Sequence, residues 1–80
     1  MAKEAEVFGE RLRKLRDARG LTQEKLAHAA DLTTTFVSTI ERGRKAPSLN
    51  TVLKLARALK VDAAELLADF TYEALRRLKL

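Results

Sequence analysis

Residues 22–45 read TQEKLAHAADLTTTFVSTIERGRK. Apolar side chains recur at three and four in its first part, at Leu26, Ala27 and Ala30, and again at Val37 and Ile40. That spacing is helical, so the stretch predicts two short helices, near 22–30 and 33–42. Each start carries a hydroxyl where an N-cap belongs, Thr22 and Thr33. Each cap is bracketed by a hydrophobic staple, Leu21 with Leu26 and Leu32 with Val37. The anomaly is the run Thr33-Thr34-Thr35, followed by Ser38 and Thr39. Threonine is a poor helix former, because its branched Cβ loses rotamer freedom against the preceding turn.

Projection down the second helix accounts for the hydroxyls. Successive residues turn by about 100°. With Thr34 at zero, Ser38, Arg42, Thr35 and Thr39 fall at about 40°, 80°, 100° and 140°. Phe36, Ile40 and Val37 fall at about 200°, 240° and 300°, almost opposite. One face therefore docks on a core while the other offers hydroxyls and a guanidinium. Short side chains let a helix approach another surface closely. Hydroxyls donate or accept, and a threonine methyl packs on a thymine methyl, so this face suits base edges in a major groove. Thr33 alone reads as an N-cap, and an exposed threonine can be merely tolerated. Four hydroxyls together, with Arg42-Gly43-Arg44-Lys45 behind them, point to a groove.

Outward from this pair, the same period predicts helices near 5–19, 48–59 and 62–69, with a last short one near 71–79. Val7/Phe8, Leu12 and Leu15 form one apolar stripe, and Leu49, Val52, Leu53, Ala56 and Leu59 another. Ser48, after the single proline Pro47, caps one start. Asp62 caps the next, with Val61 and Leu66 as its staple and Glu65 completing a capping box. Thr71 caps the last, between Phe70 and Leu75. Gly20 and Gly43 fall where the chain reverses after a helix. Nothing alternates with period two. The expected fold is all-α, a bundle of five helices plus a short C-terminal helix.

Eighty residues make one small domain, expected to run over 1–80. With no cysteine there is no disulfide and no thiolate metal site. His28 is the sole histidine and has no partner ligands in sequence, so neither a zinc site nor a catalytic triad can be assembled. Gly9 and Gly43-Arg44-Lys45 do not make a phosphate loop of the nucleotide-hydrolase kind. No catalytic residue, metal, cofactor or small-molecule ligand is expected. No apolar stretch is long enough to span a membrane, and MAKEAEVFGE lacks the apolar core of a signal peptide. The expectation is a soluble cytoplasmic protein.

The formal charge is +5 and the pI about 10.0, which suits a polyanionic partner. Distribution says more. Arg42 to Lys60 holds six basic residues and no acid; Val61 to Leu75 holds four acids and no base. A basic side and an acidic side follow, although ordinary solvated helix faces produce the same count.

The run from Thr22 to Val61 resembles the phage-repressor, Xre-type helix-turn-helix family, and most of all the small controller proteins of restriction–modification systems. The features that carry it are Thr22-Gln23, Leu26-Ala27, Val37 and Ile40, Glu41-Arg42-Gly43, Pro47-Ser48, then Leu-Ala-Arg-Ala-Leu and Val61. The likeness covers about residues 8–68, leaving 69–80 as a C-terminal extension. It implies a lambda-repressor-like fold in which helix 22–30 crosses the DNA backbone and helix 33–42 lies in the major groove. It places Thr34, Thr35, Ser38 and Thr39 at base-reading positions. Gln23 would bond a phosphate from a helix N-terminus, Arg42, Arg44 and Lys45 would reach backbone, and Ser48 and Asn50 would add phosphate contacts. Arg16 matches a position that pairs with the acid at Glu41, bracing the first helix against the third; a DNA-facing or solvated arginine is the alternative. Asp31 and Lys60 stand where the family carries glycine. Aspartate tolerates the left-handed region better than most residues, so the turn survives at some cost.

The tail LLADFTYEALRRLKL is rich in apolar groups. Leu67, Phe70, Tyr72, Leu75 and Leu78 can cover the domain's own core or make a two-fold interface. A homodimer on a double-stranded DNA operator, regulating transcription, is the expected function, with a controller role as its specific form. An antitoxin-like protein-interaction module with secondary DNA binding is the alternative. A membrane-surface helix is disfavoured, because the basic RRLKL is short and the rest of the tail acidic.

Overall fold

The computed structural model describes residues 3–80, so the expected bounds of 1–80 begin on two residues outside those described. The order is α1 (Glu4–Ala18), α2 (Gln23–Ala30), α3 (Thr34–Glu41), α4 (Leu49–Leu59), α5 (Ala63–Leu66) and α6 (Tyr72–Arg77). There is no strand among the described residues.

The hydroxyl caps form as the sequence leads one to expect. Thr22, Thr33, Ser48 and Thr71 accept from the backbone N–H of Lys25, Phe36, Thr51 and Ala74 at 3.0–3.2 Å. Asp62 is the exception. It occupies the N-cap position, but its side chain makes no capping bond and the expected box with Glu65 is absent. The Glu65 N–H goes instead to the Asp62 backbone carbonyl at 2.9 Å, a tight turn at the start of α5, which is only four residues long. The helix expected over 62–69 ends at Leu66, because Leu67–Asp69 continue as a turn toward α6.

One device ends each of the first four helices. A residue in the left-handed region follows the last turn: Gly20 (φ 66°), Asp31 (57°), Gly43 (71°) and Lys60 (59°). The next amide then bonds back five residues, Leu21 to Arg16, Leu32 to Ala27, Arg44 to Thr39 and Val61 to Ala56, at 2.8–3.2 Å. This is the Schellman closure, which satisfies carbonyls the helix leaves unpaired. Asp31 and Lys60 adopt it without glycine's freedom.

The core gathers Phe8 and Leu12 from α1, Leu26, Ala27 and Ala30 from α2, and Val37 and Ile40 from α3. Val52, Leu55, Ala56 and Leu59 come from α4, and Leu66 from α5. The α4 stripe differs from the sequence expectation. Leu55 is fully buried, whereas Leu49 and Leu53 are 71% and 49% exposed. A helix this rich in leucine and alanine has apolar residues around most of its circumference, so periodicity alone leaves its rotation open by one position. Phe36, expected in the core sector, is only half-buried at its rim. α6 buries no residue.

Gly9 fixes how α1 meets α3. A Cβ at this position would stand 2.3 Å from the Ile40 carbonyl oxygen and 2.7 Å from that of Glu41. Only a bare backbone lets the two helices come this close, and the contact falls on the last turn of α3.

Candidate nucleic-acid interface

The site is built on α3. Val37 and Ile40 are buried, which fixes the rotation of the helix about its axis. The opposite face carries the hydroxyls: Thr34 and Thr35 are exposed, Ser38 and Thr39 half-exposed. Thr39 is partly committed, since its Oγ1 donates to the Thr35 carbonyl at 2.9 Å. Its methyl and remaining lone pair stay available, so it can offer an apolar contact or accept, but not donate. Hydroxyl back-bonding of this kind is common in helices.

Basic residues follow at once. Arg42, Arg44 and Lys45 are exposed, and none joins an ion pair among the described residues. Lys45 instead places its Nζ 5.6 Å from the centroid of the Phe36 ring. Gly43 turns the chain there; a Cβ on it would stand 2.7 Å from Glu6 Cγ and 2.8 Å from Glu6 Cα of α1.

Behind the hydroxyl face sits a three-helix tie. Arg16 of α1 donates from Nε to Glu41 Oε2 at 2.6 Å and from an η nitrogen to Oε1 at 3.1 Å. Its other η nitrogen donates to the Leu21 carbonyl at 2.7 Å. The side chains are 11% and 4% exposed, so this forked pair is removed from solvent and is stronger than a surface pair. The hydrogen bond to Glu41 raises the Arg16 pKa above its ordinary value, against the opposing effect of burial; attraction to Glu41 and Asp17 adds to the rise.

Gln23 joins the same carboxylate. Its Nε2 donates to Glu41 Oε1 at 3.0 Å, so the amide is turned toward α3 rather than wholly outward. One amide hydrogen is thereby fixed and the second remains for another acceptor. The Ser48 hydroxyl is likewise engaged, accepting from the Thr51 N–H and bonding Thr51 Oγ1, both at 3.1 Å. Asn50 is exposed in the first turn of α4.

The five tail residues separate. Tyr72 is 75% exposed, Leu67 and Leu75 are exposed, and Phe70 and Leu78 are half-buried, with Phe70 packed on the core. Sequence reasoning missed Leu49 and Leu53 as exposed apolar groups, and missed Gly9 as the contact that seats α3. It also missed Arg11, whose Nε donates to the Glu65 carbonyl at 2.8 Å and ties α5 to α1. No helix among the described residues is long and apolar enough to cross a membrane.

Known proteins resemble this chain in sequence and in fold. A family model described as a helix-turn-helix domain matches residues 7–68. The control protein C.BamHI of Bacillus amyloliquefaciens is 42% identical over 66 residues, spanning 81% of this chain and 80% of its own. The crystal structure of the restriction–modification controller protein C.AhdI from Aeromonas hydrophila superposes with a TM-score of 0.77 at 46% identity, over 79% of this chain and 96% of that one. The clp gene regulator ClgR from C. glutamicum matches over 100% of this chain and 99% of its own, with a TM-score of 0.82 at 30% identity. With its paired helices α2 and α3 and this extent of likeness, the chain belongs to the helix-turn-helix domain family and resembles restriction–modification controller proteins within it.

Proposed function

We propose that this protein is a sequence-specific, double-stranded-DNA-binding transcriptional regulator, working in the cytoplasm as a homodimer in the manner of a restriction–modification controller. One observation carries the reading: α3 turns its hydroxyls away from the core and is followed directly by three exposed cations that no carboxylate neutralises among the described residues. A cation without an internal partner keeps its full attraction for phosphate.

In this reading Thr34, Thr35 and Ser38 meet base edges with hydroxyls, and Thr39 meets them with its methyl and lone pair. Arg42, Arg44 and Lys45 take backbone phosphates, which set register rather than sequence. Gln23 gives its second amide hydrogen to a phosphate, with Glu41 fixing its orientation. Because the Ser48 hydroxyl is engaged, the start of α4 contributes through its first-turn amides and Asn50. Arg16 and Glu41 hold α3 at its angle. The exposed Leu49, Leu53, Leu67, Tyr72 and Leu75 offer apolar side chains to a second copy, which supports a two-fold interface. Two copies would set two α3 helices about 34 Å apart, on successive major grooves.

The test is a binding series on a duplex selected from a random pool and on its scrambled counterpart. Six cations in a dimer give a slope of log affinity against log salt of about −5, at roughly −0.9 per neutralised phosphate. Arg44→Ala lowers affinity for both duplexes alike and flattens that slope by about 2. Thr35→Ala reduces preference for the selected duplex by about ten-fold and leaves the scrambled one unchanged. Equal losses on both duplexes for both variants refute the reading.

A further inference from the structure

Phe36 is the one residue of the core-facing sector of α3 that the core does not bury; Val37 and Ile40 are fully enclosed. The Phe36 amide is tied to Thr33 Oγ1 at 3.0 Å, and the ring packs against the core. Nine residues on, the chain returns to it. The left-handed Gly43 and the bond from the Arg44 amide to the Thr39 carbonyl at 3.1 Å fold the loop back, and Lys45 brings its Nζ 5.6 Å from the ring centroid. That lies within the reach, about 6 Å, at which an ammonium is held by the negative face of an aromatic ring.

The choice of partner matters chemically. A carboxylate would hold Lys45 more firmly but would cancel the charge a phosphate needs. A phenyl ring restrains the ammonium and leaves that charge intact. Lysine also loses much rotamer freedom when it engages a phosphate, and a side chain already restrained loses less. Arg42 and Arg44 have no such ring beside them among the described residues.

We infer that Phe36 is a positioning residue for DNA binding: its ring holds the Lys45 ammonium at the flank of α3, pre-set for a backbone phosphate. This rests on α3 being the groove helix. Phe36 then links the helix that reads bases to the loop that grips the backbone, acting through Lys45 without itself touching a phosphate.

Two measurements test it. In the free protein, the methylene protons beside the Lys45 Nζ should be shifted upfield by the ring current, equally so in Phe36→Tyr, and return to ordinary lysine values in Phe36→Leu. Unshifted protons in the wild-type protein overturn the inference even where Phe36→Leu fails to fold. In binding assays on the selected and scrambled duplexes, Phe36→Leu should weaken both by roughly three-fold, the scale of an exposed cation–π contact. Phe36→Tyr should match wild type. In a Lys45→Ala background, Phe36→Leu should cost nothing further. If the two losses simply multiply, or if Lys45→Ala leaves affinity unchanged, Phe36 has no positioning role, while the Thr35 and Arg44 variants still uphold α3 as the groove helix. If those variants also fail to separate the two duplexes, the reading of α3 falls first and this inference with it.

Discussion

Replacing Gly9 by alanine opposes two effects of known sign. Gly9 lies inside α1, where alanine is the better helix former by about 1 kcal/mol, so propensity alone makes Gly9→Ala stabilising. The structure reverses the sign. The new methyl would lie 2.3 Å from the Ile40 carbonyl oxygen and 2.7 Å from that of Glu41, against an ordinary contact above 3.4 Å. Both obstacles are backbone atoms in the last turn of α3, so no side-chain rotation relieves them. α1 and α3 must separate by about an ångström, and overpacking of this kind costs about 1–3 kcal/mol. Separation also strains the Arg16–Glu41 fork that spans the same two helices, which sets the cost at the upper end of that range. Offsetting it against propensity leaves a net loss of about 2 kcal/mol. For a domain of this size that lowers Tm by about 10 °C. Thermal and urea unfolding followed by circular dichroism measure it directly, with the urea slope expected to stay unchanged. A Gly9→Ala protein as stable as wild type, or more so, refutes the close crossing of α1 and α3 and with it the seating of the hydroxyl helix.

The other predictions concern the turns, the tie and the exposed leucines. Asp31→Gly and Lys60→Gly should each stabilise by about 0.5–1 kcal/mol, since a left-handed conformation costs an L-residue about 1–2 kcal/mol and glycine's extra chain entropy returns part of it; unfolding curves check this, and destabilisation by both would contradict it. Glu41→Gln leaves the Arg16 guanidinium with only the exposed Asp17 as countercharge and should cost about 3 kcal/mol in the same assay. Because the Arg16 pKa is raised, its share of stability is complete below the ordinary arginine value and is lost only as pH rises through the folded one, so that share stays flat across neutral pH. Leu53→Asp should shift sedimentation from dimer to monomer and make DNA binding weak at low protein concentration, with the helical spectrum unchanged.

The features legible in the sequence are those that local chemistry writes. A hydroxyl before an apolar run marks a helix start because its oxygen serves an amide only three residues on, and Thr22, Thr33, Ser48 and Thr71 all do this. The facing of α3 was equally readable, because eight residues with two firmly apolar positions leave one rotation. What escaped is what distant segments decide. The expected Asp62–Glu65 box gave way to a backbone bond between the same two residues, and α5 ends early because Leu67–Asp69 run on as a turn. Leu53 looked as apolar as Leu55, and only packing on α2 and α5 chose between them. Gly9 looked like an unremarkable helix glycine until Ile40 came up against it. Gln23 was readable as polar and near a helix start, but its bond to Glu41 needs the third helix in place.

The most direct measurement is a chemical scan of the selected duplex, exchanging thymine for uracil and purine N7 for carbon one position at a time. Both changes alter only the major-groove edge. If the hydroxyl face of α3 enters that groove, wild-type binding weakens at clustered positions in two half-sites about 10 base pairs apart, and Thr35→Ala becomes indifferent to one position in each. A scan in which no such exchange changes affinity, or in which Thr35→Ala follows wild type at every position, would contradict it.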